Sequence, residues 1–208
     1  MTAELTRSQL LRGGVRGSAT LLVAGSALGA YAVSAQAAPP SGAVGPLAAA
    51  DLANTRLLIG VELLLIDFYT NAIASRHLRA DAEADARLAL INEAEHYDYL
   101  SFVLTSAGLV ALTSADVDFT YPAGAYYTAD SVTALAVTLE TLALGAYLGA
   151  AGNLTNPVLA GAVAQIGANE AQHVSVFSQH AKQPAFHDAF PAPLTTAEAS
   201  DALDGYTS

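Results

Sequence analysis

The sequence predicts an all-α chain folded as an antiparallel four-helix bundle, with one long crossover between its second and third helices. Three features point there. Four stretches of helical length carry apolar residues on a helical period. The links from first to second and from third to fourth stretch are short. The remaining link is long and rich in turn-forming residues.

The first helix is expected from Leu47 to about Arg79. That stretch contains no proline and one isolated glycine, Gly60, and Leu57, Leu58, Val61, Leu64, Leu65 and Phe68 recur at helical spacing. The second is expected from Asp81 to about Ala107, ended by Gly108. From Leu109 to Asp130 the chain holds Asp116, Asp118, Pro122 and Gly124, which reads as an irregular connection with room for a short helix. Its Phe119-Thr120-Tyr121 run is the one weak strand candidate. A third helix follows from Ser131 to about Ala151. Residues 152–157 form a turn in which Asn156 caps the fourth helix and Pro157 opens it. That helix runs to about His180, which closes a bundle over residues 47–182. The tail, 183–208, holds three prolines and a short helical piece near Thr195–Leu203, and is expected to pack on the bundle.

The N-terminus reads as an export signal over residues 1–37. Arg7, Arg12 and Arg16 precede an apolar stretch from Ser18 to about Val33, and Ser34-Ala35-Gln36-Ala37 supplies small residues for a peptidase. The competing reading is an anchor that stays attached, although the stretch is short for a span. Thr6-Arg7-Ser8-Gln9-Leu10-Leu11 resembles a twin-arginine signal lacking its second arginine. The expected location is outside the cytoplasm: periplasm, cell envelope or extracellular space. Cleavage after Ala37 would remove three arginines and one glutamate, taking the formal charge from −11 to −13. So acidic a chain is a poor nucleic-acid binder and an attractor of cations. An apolar share of 53% argues against intrinsic disorder, and the absence of cysteine rules out disulfides and thiolate metal sites.

Four acidic residues stand out. Glu62 interrupts the apolar run Leu58–Ile66, and Glu140 interrupts Ala136–Leu144 more mildly. The second and fourth helices share Asn-Glu-Ala-x-His, as Asn92-Glu93-Ala94-Glu95-His96 and Asn169-Glu170-Ala171-Gln172-His173. Glutamate and histidine three apart lie on one helical face. Glu62 precedes Glu93 by 31 residues and Glu140 precedes Glu170 by 30, so the chain reads as two hairpins of one plan. Tyr69 and Tyr147 each follow a lone glutamate by seven residues and share its face, where a hydroxyl could hydrogen-bond a carboxylate. Asn92 and Asn169 each precede a histidine by four, placed to orient an imidazole on their own or the opposite hairpin.

Taken singly, each of these residues reads as surface or ion-pair chemistry. Together they do not. A buried carboxylate needs a base, a proton or a metal, and no Lys or Arg occurs between Leu88 and Ala181. Two divalent cations would neutralise four glutamates. His77, His180 and His187 read as structural or surface residues, and Tyr121, Tyr126 and Tyr127 as packing.

Across Leu47–His180 these motifs resemble the ferritin-like di-metal carboxylate family, to which bacterioferritin and rubrerythrin belong. The likeness is closer to exported bacterial ferritin-like proteins grouped with plant desiccation-related proteins. The resemblance implies six metal ligands: Glu62 and Glu140 as terminal carboxylates, Glu93 and Glu170 as bridges, and His96 and His173 as nitrogen ligands. Tyr69 and Tyr147 match tyrosines that support the ligands in bacterioferritin-like members. No cysteine-ligated rubredoxin-type domain is present, and the single methionine, Met1, leaves no methionine-held haem. The implied cofactor is a pair of iron or manganese ions, with zinc also accepted by such a donor set. The implied function is an oxidoreductase activating dioxygen or peroxide. Other readings are a non-enzymatic envelope or stress protein with a structural metal site, and iron storage. Expected partners are metal ions and a small-molecule oxidant or reductant, with a homo-oligomer left open.

Overall fold

The computed structural model describes residues 44–186 and 188–207. The expectations for residues 1–37 and for His187 lie outside them. Five helices are present: α1 (Ala49–Ser75), α2 (Ala80–Ser106), α3 (Ala129–Asn153), α4 (Pro157–His180) and the short α5 (Thr196–Asp204). The first four form the bundle. α1 pairs closely with α2, and α3 with α4, as two antiparallel hairpins; α1 then packs on α3, while α2 and α4 share a much smaller contact.

Local chemistry sets the helix ends. α1 stops at Ser75, four residues short of the predicted end, because Arg76 turns left-handed at φ 60° and returns its N–H to Ile73 O. α2 ends when Gly108 adopts φ 78° and Leu109 N–H closes back on Leu104 O, a glycine-terminated C-cap. Thr128 caps α3 in a reciprocal box with Ser131. α3 continues through Gly152 and Asn153, so the turn into α4 is only residues 154–156. There Asn156 Oδ1 accepts the Val158 and Leu159 N–H groups and Pro157 starts the helix. Across the bundle Asp51, buried near the start of α1, accepts Thr155 N–H (2.8 Å), Thr155 Oγ1 (2.8 Å) and Asn156 N–H (3.1 Å). Burial raises its pKa, but these donors outweigh burial and hold it below the usual carboxylate range.

The core is drawn mainly from α1, α3 and α4, with Leu58, Leu65, Phe68, Leu139, Leu159 and Phe177 almost wholly enclosed. Each contributes on the order of 1.5–3 kcal/mol by leaving water. α1 and α3 are long and apolar enough to cross a membrane, yet 61% and 67% of their most apolar windows are buried inside the protein, as in core helices.

No helix forms in the crossover among the described residues. It lies extended over α1, and its Phe119 makes an isolated antiparallel bridge with Thr207 of the tail. The tail crosses α3 where two glycines are spaced by four. A Cβ on Gly149 would sit 1.7 Å from Leu194 O, so only glycine admits the strand of chain there. Leu194 N–H then donates to Gly145 O (2.8 Å), and α5 packs against α1 and α3.

Candidate metal centre

All six predicted ligands converge between the helices. Glu62 comes from α1, Glu93 and His96 from α2, Glu140 from α3, and Glu170 and His173 from α4. The four carboxylates are 0% exposed, and the His96 and His173 side chains are 13% and 9% exposed. The i,i+3 spacing puts each histidine beside its own glutamate: His96 Nδ1 lies 3.0 Å from Glu93 Oε2 and His173 Nδ1 3.3 Å from Glu170 Oε2.

Each imidazole also faces the other hairpin. His96 Nδ1 is 3.1 Å from Glu170 Oε1, and His173 Nδ1 is 2.9 Å from Glu93 Oε1. Glu93 and Glu170 therefore each offer one oxygen to each imidazole, the arrangement a bridging carboxylate needs. The lone glutamates complete two groups, with Glu62 Oε2 3.7 Å from His96 Nδ1 and Glu140 Oε2 3.5 Å from His173 Nδ1. The result is two overlapping quartets, Glu62–Glu93–His96–Glu170 and Glu93–Glu140–Glu170–His173, whose ligand atoms lie within 4.8 Å of one another. Each could hold a metal ion.

The tyrosines cross between hairpins. Tyr69 of α1 donates to Glu140 Oε1 of α3, and Tyr147 of α3 donates to Glu62 Oε1 of α1. A residue seven positions on is about two turns, roughly 10 Å, along the axis, so each hydroxyl reaches a glutamate of the facing helix instead of its own. Asn92 crosses as well, its Nδ2 lying 3.1 Å from His173 Nε2. That contact steadies the ring while Nδ1 faces the carboxylates. The mirrored contact is missing: Asn169 is half-buried and its side chain makes no hydrogen bond among the described residues.

A donor set that could hold cations accounts for the atoms left over. Glu62 Oε2, Glu140 Oε2, Glu93 Oε1, both Glu170 oxygens and His173 Nδ1 are buried without a well-formed hydrogen bond. Buried atoms in that state are costly, and here they point at the shared carboxylates. Arg79, Arg87 and Lys182 pair with Asp81, Glu83 and Asp130, and Arg56 and Arg76 are exposed, so among the described residues no arginine or lysine forms an ion pair with the centre.

The electrostatics say what holds the carboxylates in the absence of metal. Burial pushes Glu62 up to about 8, with the charges of Glu93 and Glu170 adding and His96 opposing. Burial likewise raises Glu140 well above the usual range. Glu170 goes the other way: burial disfavours its charge, but the close approach of the His173 and His96 imidazoles outweighs that and lowers it to about 2. Burial disfavours an imidazolium at His96, yet hydrogen bonds to Glu170, Glu62 and Glu93 push it up to about 12, and His173 rises strongly for similar reasons. Protons on the imidazoles and lone glutamates thus stand where cations would.

The sequence profile of the ferritin-like domain matches residues 50–183, the span from α1 to the end of α4. The chain belongs to the ferritin-like domain family. No curated protein matches it. Within this ferritin-like domain the Glu and His cluster fits a ferritin-like metal site. The two other described histidines lie apart from it: His77 is exposed in the α1–α2 link, and His180 Nε2 pairs with Asp85 at 2.7 Å, tying the end of α4 to α2. Sequence reasoning missed Asp51 and the Gly145/Gly149 seat. Both left a signal, in the donor-rich Thr-Asn-Pro turn and in the Gly-x-x-x-Gly pair of α3.

Proposed function

We propose that this chain is an exported di-metal carboxylate protein that uses two iron or manganese ions to reduce dioxygen or peroxide at the expense of a small reductant. The observation that carries the reading is the sharing of Glu93 and Glu170 between two Glu/His quartets. Such a shared pair of carboxylates would hold two divalent cations side by side. Bound there, the ions would supply the electron chemistry of oxygen–oxygen bond cleavage. Glu62 and Glu140 would be terminal ligands, Glu93 and Glu170 bridges, and His96 and His173 the nitrogen donors. Tyr69 and Tyr147 hold the terminal carboxylates in place, and the apolar walls of α1 and α3 keep bulk water out. The basic, apolar and small-residue order of residues 7–37 supports export to the envelope or beyond.

One observation favours a second reading. All four carboxylates are fully enclosed, which suits ions that serve only to stabilise the bundle in a non-enzymatic envelope protein. The test is to load purified protein with Fe(II) or Mn(II) without oxygen, then add hydrogen peroxide. Oxidation of the metal with loss of peroxide, absent in Glu62→Ala/Glu140→Ala, is expected. A metal-dependent rise in melting temperature with no oxidation would establish the structural reading instead.

A further inference from the structure

The four carboxylates are enclosed and only the imidazoles, at 13% and 9% exposure, reach solvent, so the centre offers little surface to a molecule outside. A bulky reductant has to send its electrons through protein. Two runs of rings lead outward from Tyr69: one through Phe177 (5.3 Å) to His180 (6.1 Å), which is paired with Asp85, and one through Phe68 to tyrosines of the crossover and tail. Tyr69, hydrogen-bonded to Glu140, meets Phe68 edge-on at a centroid distance of 5.0 Å. Phe68 stacks on Tyr126 at 5.9 Å and lies 6.1 Å from Tyr121. Tyr121 touches Tyr126 at 5.4 Å and Tyr206 at 6.1 Å. Tyr69 and Phe68 are buried, whereas Tyr121, Tyr126 and Tyr206 are half-buried where the crossover and tail meet. Among the described residues Tyr147 has no ring neighbour of this kind, so both runs start at Tyr69, and only the one through Phe68 ends in phenols.

Removing an electron from a phenol at neutral pH requires a place for its proton. Tyr121 has one: its hydroxyl donates to Asp67 Oδ2 at 2.8 Å, and Asn71 Nδ2 steadies the same oxygen at 2.9 Å. Asp67 is itself half-buried, within reach of water. Phe68 is too hard to oxidise to hold the missing electron, and acts as the contact through which Tyr69 couples to the outer tyrosines.

We propose that Tyr121, with Asp67 as its proton acceptor, is the outer station of an electron path through Tyr126, Phe68 and Tyr69 to the metal centre, and that it oxidises phenols one electron at a time. This rests on the redox reading above. Tyr121 passes an electron inward and its proton to Asp67, which releases it to water. A phenol bound outside then gives Tyr121 a hydrogen atom and leaves as a phenoxyl radical. Two such turns deliver two electrons to one peroxide, which takes up two protons from water in place of the two released through Asp67. The sum is two phenols and one hydrogen peroxide becoming two phenoxyl radicals and two waters.

The test uses full-length protein loaded with iron or manganese, hydrogen peroxide as oxidant and guaiacol as the phenol, with metal content and melting temperature measured for each variant. Freeze-quench electron paramagnetic resonance without guaiacol should show a tyrosyl radical in the wild type, with spin-trap adducts on Tyr121 found by mass spectrometry. Tyr121→Phe should lose that adduct. Asp67→Asn should slow guaiacol oxidation by on the order of a hundredfold, the scale of a lost proton acceptor. Tyr127→Phe, at an exposed ring outside the path, should match the wild type. If peroxide oxidises the wild-type metal while the radical and guaiacol turnover are unchanged in Tyr121→Phe and Asp67→Asn, the path is overturned. If peroxide fails to oxidise the wild-type metal at all, the underlying redox reading falls, and the path with it.

Discussion

The α1–α2 and α3–α4 hairpins carry matching parts, yet those parts end in different surroundings. Each supplies a lone glutamate, a Glu-x-x-His pair, a tyrosine and an asparagine. At the carboxylates and imidazole Nδ1 atoms the two halves are near mirror images, with Glu93 and Glu170 shared by both quartets. One step outward the likeness ends. Asn92 steadies His173, and Asn169 leaves His96 without the matching contact. Tyr69 continues through Phe68 to the crossover, while Tyr147 is closed in by Gly167, whose Cβ position lies 3.3 Å from Tyr147 Cβ. The neutralisation of four buried charges imposes symmetry on the ligands. The surroundings follow what packs outside, and the crossover and tail pack on one side.

The largest effect expected separates shared from unshared ligands. Glu93→Ala or Glu170→Ala removes an oxygen from both quartets, so elemental analysis of folded protein should find almost no bound metal. Glu62→Ala or Glu140→Ala touches one quartet each and should leave about one ion per chain, since a two-metal site needs both bridges but not both terminal ligands. Equal loss in all four variants would show that the halves do not bind independently.

The pH response tests the same balance without mutation. Glu62 rises from 4.5 to about 8 in the folded protein, so the fold retains a proton that the unfolded chain releases. Metal-free stability therefore falls as pH rises through that window. His96, raised from 6.5 to about 12, acts in the same sense: its stabilisation is full below 6.5 and is lost on the way to 12. Glu170, lowered to about 2, adds stability above 4.5 that is lost as pH falls toward 2. The metal-free bundle should melt highest at mildly acidic pH. With Mn(II) the trend should reverse, because metal displaces those protons and binds more tightly as pH rises. Thermal unfolding across pH, with and without Mn(II), reads both curves.

Smaller effects probe where the hairpins diverge. Asn92→Ala should weaken metal binding by roughly ten- to a hundredfold, the usual scale for groups that orient a ligand, while Asn169→Ala changes little in a calorimetric titration. Tyr69→Phe and Tyr147→Phe each strip a donor from a buried carboxylate, and should cost about 1–3 kcal/mol apiece in chemical unfolding of the metal-free protein.

Much of this centre is legible in the chain because helical spacing and burial act locally. Glu62 inside Leu58–Ile66 and the repeated Asn-Glu-Ala-x-His already mark the residues that cluster and the faces they share. Spacing says nothing about which helix a side chain will meet. That Tyr69 serves Glu140 and Tyr147 serves Glu62 depends on the height at which two hairpins pack, a tertiary quantity. The crossover was the least readable segment. Phe119–Tyr121 has strand-like residues but forms only one bridge, and Tyr121 and Tyr126 pack on Phe68, with Tyr121 hydrogen-bonded to Asp67, far away in sequence. The overlong first helix has a local cause, since a left-handed turn at Arg76 leaves no mark in composition.

The central claim is that two ions share Glu93 and Glu170 in one buried centre. Anomalous diffraction from crystals grown with Mn(II) tests it most directly. The account predicts two peaks some 3.5–4 Å apart, both flanked by Glu93 and Glu170, one beside Glu62 and His96 and the other beside Glu140 and His173. A folded protein with no peak in that core, or with manganese bound only elsewhere, would contradict it.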